Sequence, residues 1–339
     1  MNNKESILSA SRIKTLEACS WLYWCKYKLK LPEKTNSGAL RGTICHLILE
    51  LLLKKRHKKH YNLIIKEGHI KASSPVDKVV KKYLKKHKLL DSNEDEDHYG
   101  LCSDMILVGL KNDFFSEGGK ILDPEYEFLL ESEDPPYKVM GFMDKTVTYN
   151  KKKQILISDY KTSKSKFSGE DLDSNLQGLI YSLAAKKIWP KLKSSIRFIF
   201  LKFPKDPLQE LSFKDSQLSG LEYYLAHVFK IINNFSEETA STNYAADQPM
   251  PPKGGGFKGP LNCGFAKRKG QLKKDGSLMW HCPFKFDFEY YALVNELGET
   301  ISSAFDEDSL PTPKDGESIV KKKYDGCPRH NNKNDDFDF

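Results

Sequence analysis

No stretch of these 339 residues approaches eighteen consecutive apolar positions, so the sequence holds no candidate membrane helix. The opening Met1-Asn2-Asn3-Lys4-Glu5 lacks an apolar signal region, and the expectation is a soluble, cytoplasmic protein with no membrane partner. A Gly-x-x-x-x-Gly-Lys-Ser/Thr phosphate loop is missing, which excludes a P-loop helicase motor within this chain. Cysteine is scarce and odd in number: Cys19, Cys25, Cys45, Cys102, Cys263, Cys282 and Cys327. Such a set argues for free thiols or metal ligands and against a disulfide framework. What the chain has in plenty is charge. Lys and Arg number 54 against 46 Asp and Glu, and 39% hydrophobic residues suffice for a real core. The net charge of +8 is gathered in runs such as Lys54 to Lys59, Lys81-Lys82, Lys85-Lys86, Lys151 to Lys153 and Lys267 to Lys269. An anionic partner is expected, although each run by itself also reads as a solvated helix face or turn.

One short segment carries the most chemistry. Ile155-Leu156-Ile157 leads into Asp159-Tyr160-Lys161-Thr162, and a second acid stands at Gly141-Phe142-Met143-Asp144. Tyr137 to Thr148 and Gln154 to Tyr160 are rich in β-branched and aromatic residues, with polar turn material between them, so they read as a hairpin. A turn centred between Lys151 and Lys152 puts Asp144 opposite Asp159, with Cβ atoms about 5 Å apart. Lys161 then shares the face of Asp159. Two bare carboxylates at that distance repel by roughly 3 kcal/mol at an effective dielectric of about 20. Lys161 supplies part of the compensating charge, and a hard cation such as Mg²⁺ could supply the rest. The same residues also fit a structural Asp–Lys pair on a solvated sheet face.

Other residues bear on that choice by their order. Arg41 to Glu50 sets His46 one turn from a Glu in an apolar helical pattern, and Asn175 to Tyr181 sets Gln177 and Tyr181 at i, i+4 on one helix face. His46, Asp144, Asp159-Tyr160-Lys161, Gln177 and Tyr181, in that order, resemble the PD-(D/E)XK nuclease superfamily, specifically its RecB-like branch of DNA exonucleases. The opening Leu8-Ser9-Ala10-Ser11-Arg12-Ile13 and Leu16 to Trp24, with Cys19 followed by aromatics, look like the first helix of that branch. The resemblance covers roughly residues 6 to 290. It implies that His46, Asp144, Asp159 and the backbone carbonyl of Tyr160 ligate Mg²⁺ or Mn²⁺, and that Lys161 orients or deprotonates the attacking water. Asp144, Asp159, Lys161, Gln177 and Tyr181 form the implied catalytic set, with Gln177 and Tyr181 contacting DNA or bracing the lysine. Lys164 and Lys166, just beyond the catalytic strand, are the candidates for DNA-backbone contacts. Glu125 and Glu127 are further acids nearby, read either as support for the site or as a solvated strand face.

The implied fold is α/β: a restriction-endonuclease-like core, a central mixed sheet flanked by helices, with an N-terminal helical region and an irregular C-terminal Cys-containing segment. The nuclease domain is expected over 1–245 with a helical insertion at about 50–118, a Pro/Gly-rich loop and Cys-containing segment of the same domain over 246–300, and a weakly ordered polar tail over 301–339. The expected function is that of a metal-dependent DNA exonuclease in recombination, repair or phage-type processing, acting on DNA with a single-stranded or free end. A structure-specific endonuclease and a nuclease-like fold that binds DNA or partner proteins without cutting are the alternatives. Relatives of this branch bind a [4Fe-4S] cluster through one Cys near the start and three near the end. Cys19, Cys263, Cys282 and Cys327 are the candidates here, but the tight Cys-x-x-Cys pair is absent. A zinc site using Cys263, His281 and Cys282 with another ligand, and no metal there, stay open beside the cluster. The acidic tip Asn334 to Phe339 resembles in composition the peptide by which single-stranded-DNA-binding proteins recruit repair enzymes, so such a protein or a helicase is an expected partner.

Overall fold

A computed structural model describes residues 7–34, 36–90, 97–248 and 263–331. The acidic tip, most of the Pro/Gly-rich loop and the acidic run 91–96 lie outside the described residues. The chain opens with α1 (Ala10–Ala18) and α2 (Ser20–Tyr23), which runs into a π-helical turn at Trp24–Lys28. Then come α3 (Ser37–Leu53), α4 (Lys58–Glu67), α5 (Ser74–Lys86) and α6 (His98–Lys111). Five strands follow: β1 (Lys120–Ile121), β2 (Tyr126–Glu133), β3 (Pro136–Met143), β4 (Lys145–Tyr149) and β5 (Gln154–Lys161). They lead to α7 (Leu176–Ile188), β6 (Lys193–Phe200), β7 (Leu208–Leu211) and α8 (Asp215–Asn233). The rest is α9 (Glu237–Ala240), β8 (Phe288–Val294), β9 (Thr300–Ala304), β10 (Ser318–Tyr324) and α10 (Pro328–Asn331).

These elements group into two compact units, one of residues 1–10 and 35–229, the other of 11–34 and 230–339. The first unit is built on a five-stranded sheet in the order β1-β4-β5-β6-β7, with β5 and β6 parallel and the other pairs antiparallel. This is the mixed, helix-flanked sheet of a restriction-endonuclease-like fold. β5 is buried from Ile155 to Tyr160, as a central strand covered on both faces must be, and its apolar run supplies that burial. β2 and β3 form a separate two-stranded ladder. The segment Tyr137 to Thr148, read as one strand, is thus two, and the chain bends at Asp144 to pass from the ladder into the main sheet. The helical pattern that includes Arg41 to Glu50 ends with α3 at Leu53, and α4 begins at Lys58. Ile48, Leu49 and Leu52 of α3, Ile64 of α4, Val76, Val80 and Leu84 of α5, and Met105 and Ile106 of α6 share one core with Tyr160 of β5.

The second unit departs from the domain plan expected above. Residues 11–34 and 230–245 group with the C-terminal segment and not with the nuclease sheet, because the aromatic faces of α2 and of the chain after α8 pack together. Tyr23 meets Phe235 edge-on at 5.1 Å between centroids, and Trp21 lies 6.1 Å from Tyr244. Much of the expected weakly ordered tail is regular: β9 and β10 flank β8 in an antiparallel three-stranded sheet. Lys321 to Lys323 hide the strand pattern in sequence. Tyr324 anchors the sheet, its hydroxyl donating to the Phe284 carbonyl at 3.0 Å and accepting from the Trp21 indole at 2.9 Å. No helix among the described residues is long and apolar enough to cross a membrane.

Candidate active site

The β4–β5 register runs from Tyr149↔Gln154 to Lys145↔Ser158, so its next step sets Asp144 opposite Asp159. Both are sequestered, at 8% and 3% exposure. Two buried carboxylates on neighbouring strands need compensation, and each finds a different one. Asp144 Oδ2 accepts the Tyr160 backbone N–H at 2.7 Å, and the His46 Nδ1 atom lies 3.3 Å from both Asp144 oxygens. Asp159 Oδ2 meets the Lys161 ammonium at 2.6 Å, while its Oδ1 accepts the Gln177 amide at 2.8 Å.

Helix α7 delivers the rest. The Asn175 side chain caps it by accepting the Gly178 N–H at 2.9 Å, and this start directs Gln177 and Tyr181 together toward β5. Gln177 Oε1 accepts from Lys161 at 2.7 Å and its Nε2 also donates to the Tyr181 hydroxyl at 2.8 Å. That hydroxyl donates to the Phe142 carbonyl at 2.6 Å and lies 3.1 Å from Asp159 Oδ1. Gln177 therefore bridges acid and base of the Asp159–Lys161 pair and fixes both side chains. The ring of Tyr160 packs into the helical core, so its main chain is held with its N–H on Asp144.

Electrostatics follow the same division. Burial and the neighbouring Asp144 charge raise the Asp159 carboxyl above its usual range, with Lys161 pulling the other way. Burial lowers the His46 imidazole, but the hydrogen bond and charge of Asp144 outweigh it and leave it raised.

A third acid joins them. Glu125, just ahead of β2, puts a carboxylate oxygen with His46 and Asp144 atoms in a group mutually within 4.8 Å, able to hold a metal ion. Its backbone has φ +53, the left-handed region that non-glycine residues seldom occupy. Sequence pattern favoured a solvated strand face for both Glu125 and Glu127; Glu127 is exposed, whereas Glu125 turns to the site. The geometry fits a hard cation, since an imidazole and two carboxylates converge.

Burial, with Asp144 beside it, raises the Glu125 carboxyl from 4.5 to about 7. An acid whose pKa rises on folding stabilises the fold at low pH, and that contribution is lost as pH climbs through 4.5 to about 7. Glu125→Gln is therefore expected to raise the melting temperature of metal-free protein near pH 8 and leave it unchanged near pH 4. Thermal melts in EDTA at the two pH values check this, and equal shifts at both would contradict it.

The remaining predicted residues separate. Lys164 is exposed, whereas Lys166 is 2.7 Å from Asp206 and lies over the Phe203 ring. Its charge is already matched, which leaves Lys164 the better placed of the two for a phosphate. In the second unit, Cys19, Cys263, Cys282 and Cys327 line one small cavity, together with Lys285 and His330. All four are free thiols. Burial, chiefly, raises Cys282 to about 12 and Cys327 to about 11. Cys25 lies close by on the Tyr324 hydroxyl, and Cys45 and Cys102 are core residues of the first unit. His281 does not line the cavity; its Nδ1 is 2.9 Å from the Cys282 carbonyl oxygen.

Acids that a sheet holds closer than bare charges tolerate, with an ammonium pinned beside one and an imidazole beside the other, define an α/β nuclease of the acid–lysine kind. Residues 7–254 match the family model of the PD-(D/E)XK nuclease superfamily, and the chain belongs to that superfamily. Its members are generally hydrolytic nucleases, so DNA is the substrate class. Among curated proteins, none matches the chain.

Proposed function

We propose that this chain is a divalent-metal-dependent deoxyribonuclease that works as an exonuclease in DNA recombination or repair, on DNA offering a single-stranded or free end. The observation that carries the reading is the Asp159–Lys161 pair bridged by Gln177 beside the His46, Glu125 and Asp144 group. His46, Asp144, Asp159 and the Tyr160 carbonyl, with Glu125 alongside, would hold Mg²⁺ or Mn²⁺. Such an ion, when bound, polarises a phosphoryl oxygen and lowers the pKa of a bound water. Lys161 positions the attacking water and stabilises charge gathering on the phosphate. Gln177 keeps that ammonium aimed, and Tyr181 fixes Asp159 against the Phe142 carbonyl. The RecB-like features of residues 8–24 support an exonuclease over a restriction-type enzyme.

The four cavity thiols would hold a [4Fe-4S] cluster as a structural clasp of the second unit. A single zinc at about 2.3 Å from each sulfur requires sulfurs roughly 3.8 Å apart. Among the described residues, no three of these sulfurs lie mutually within 4.8 Å. Wider spacing suits a polynuclear group.

Purified protein with Mg²⁺ or Mn²⁺ is expected to release nucleotides from end-labelled linear DNA, to leave closed circular DNA intact, and to stop on addition of EDTA. Cutting of the circle would move the assignment to an endonuclease. No cutting of either substrate with either ion would overturn it.

A further inference from the structure

The segment from Lys54 to Lys88 carries thirteen lysines and arginines against two acids, Glu67 and Asp77. The fold uses few of these cations. Lys54 pairs with Glu50 and Lys81 with Asp77, while Lys58 rests on the Phe115 ring and Lys71 on Tyr99. On α5, Val76, Val80 and Leu84 recur every fourth residue and are buried in the helical core. Lys78, Lys82, Lys85 and Lys86 fall on the opposite side and are exposed. None of the four makes an ion pair among the described residues. Elsewhere in the same unit Lys161, Lys166, Lys186, Lys187 and Arg197 each have a carboxylate within 2.7 Å. Like charges at i, i+4, here Lys78 with Lys82 and Lys82 with Lys86, repel one another, so the stripe is a surface awaiting anions.

Its placement says which anions. Lys78 to Lys86 spans about 12 Å along the helix axis, enough for several phosphates of one strand at 3.4 Å of rise each. The apolar face of α5 packs in the same core as Ile48 of α3, two residues from His46, and as Tyr160, between Asp159 and Lys161. The stripe is therefore fixed to the two elements that bear His46 and the Asp159–Lys161 pair of the site.

We propose that the outward face of α5, through Lys78, Lys82, Lys85 and Lys86, is a DNA-backbone binding surface that holds the nucleic acid by its phosphates beyond the cleavage site. This rests on the nuclease reading only for the identity of the polyanion. The test is binding of a fluorescein-labelled oligothymidylate in EDTA, read by anisotropy across a salt series. It compares full-length protein with Lys78→Gln/Lys82→Gln/Lys85→Gln/Lys86→Gln. A control, Lys267→Gln/Arg268→Gln/Lys269→Gln/Lys273→Gln, removes equal charge from the other unit.

The α5 variant is expected to lower the slope of log K against log salt by about 3, at roughly 0.7 per single-strand phosphate contact, and to weaken binding at about 0.1 M salt by two to three orders of magnitude. The control is expected to leave the slope near that of wild type. An unchanged slope in a variant with a native melting curve, or an equal fall in the control, would overturn the proposal. Binding is read without metal, so a protein that cuts nothing still tests this surface, and a failed slope leaves the cleavage assignment standing.

Discussion

Lys161→Ala is expected to slow phosphodiester cleavage by about a thousandfold, within the 10²–10⁴ range for a positioned proton-transfer or charge-stabilising group. Three observations set that size. The ammonium is 2.6 Å from Asp159 Oδ2, it is held by Gln177 at 2.7 Å, and it lies over the Phe198 ring, so it is pre-organised and loses little freedom when a phosphate arrives. Alanine also leaves a nearly inaccessible Asp159 facing Asp144 with no cation beside it. The Asp159 carboxyl, already raised by burial and by Asp144, then rises further. An acid raised on folding costs stability as pH increases, so the variant should lose more melting temperature near pH 8 than near pH 5 in EDTA. Single-turnover cleavage with saturating Mg²⁺, beside DNA affinity measured in Ca²⁺, separates chemistry from binding. Wild-type turnover in the variant would remove Lys161 from the mechanism.

The second large effect belongs to the other unit. Cys282→Ser is expected to remove iron and visible absorption from protein purified without oxygen, and to lower the melting temperature of the second unit by about 10 °C or more. Bound metal contributes folding energy directly, on the order of 10 kcal/mol where small domains depend on it. A domain of this size shifts by roughly 3 °C per kcal/mol. The four thiols come from positions before α2, before and after the chain's return at Trp280, and before α10, so a cluster held there would join four otherwise separate stretches. Cys25→Ser serves as the comparison, since Cys25 bonds Tyr324 and does not line the cavity. Iron content and melting curves of the two variants decide the matter. Iron-free wild-type protein, with Cys282→Ser melting where it does, would dispose of the cluster.

Much of the geometry of the candidate site was legible because its signals are local. β5 begins where expected and runs one residue further, to Lys161, since an apolar run between a lysine-rich turn and a charged motif can do little but thread a sheet's centre. The turn at Lys151-Lys152 implied the register that sets Asp144 against Asp159. Helical period alone set Gln177 and Tyr181 on one face. Glu125 was less legible, because its approach depends on a left-handed backbone at a non-glycine residue, which no propensity announces. The bend at Asp144 was hidden for a related reason: Val147 and Phe142 favour strand equally well on either side of it. Strand β10 was obscured by Lys321 to Lys323, whose aliphatic stems tolerate an edge as well as a tail. The meeting of Cys19 with Cys327 has no local signal whatever, since nothing in the 307 intervening positions specifies it.

That last separation bears on how the chain is made. Translation proceeds at about 5–20 residues per second, so Cys327 leaves the ribosome roughly 15 to 60 s after Cys19. Within that interval all of residues 36–229 become available, and the mixed sheet can form from contiguous chain. The aromatic segment at 20–28, by contrast, finds Phe235, Tyr244 and Tyr324 only after every strand of the mixed sheet has been made. A nascent chain therefore carries Trp21 and Tyr23 without these partners until residues 235 to 324 have been made, and a chain cut short after residue 230 lacks them altogether.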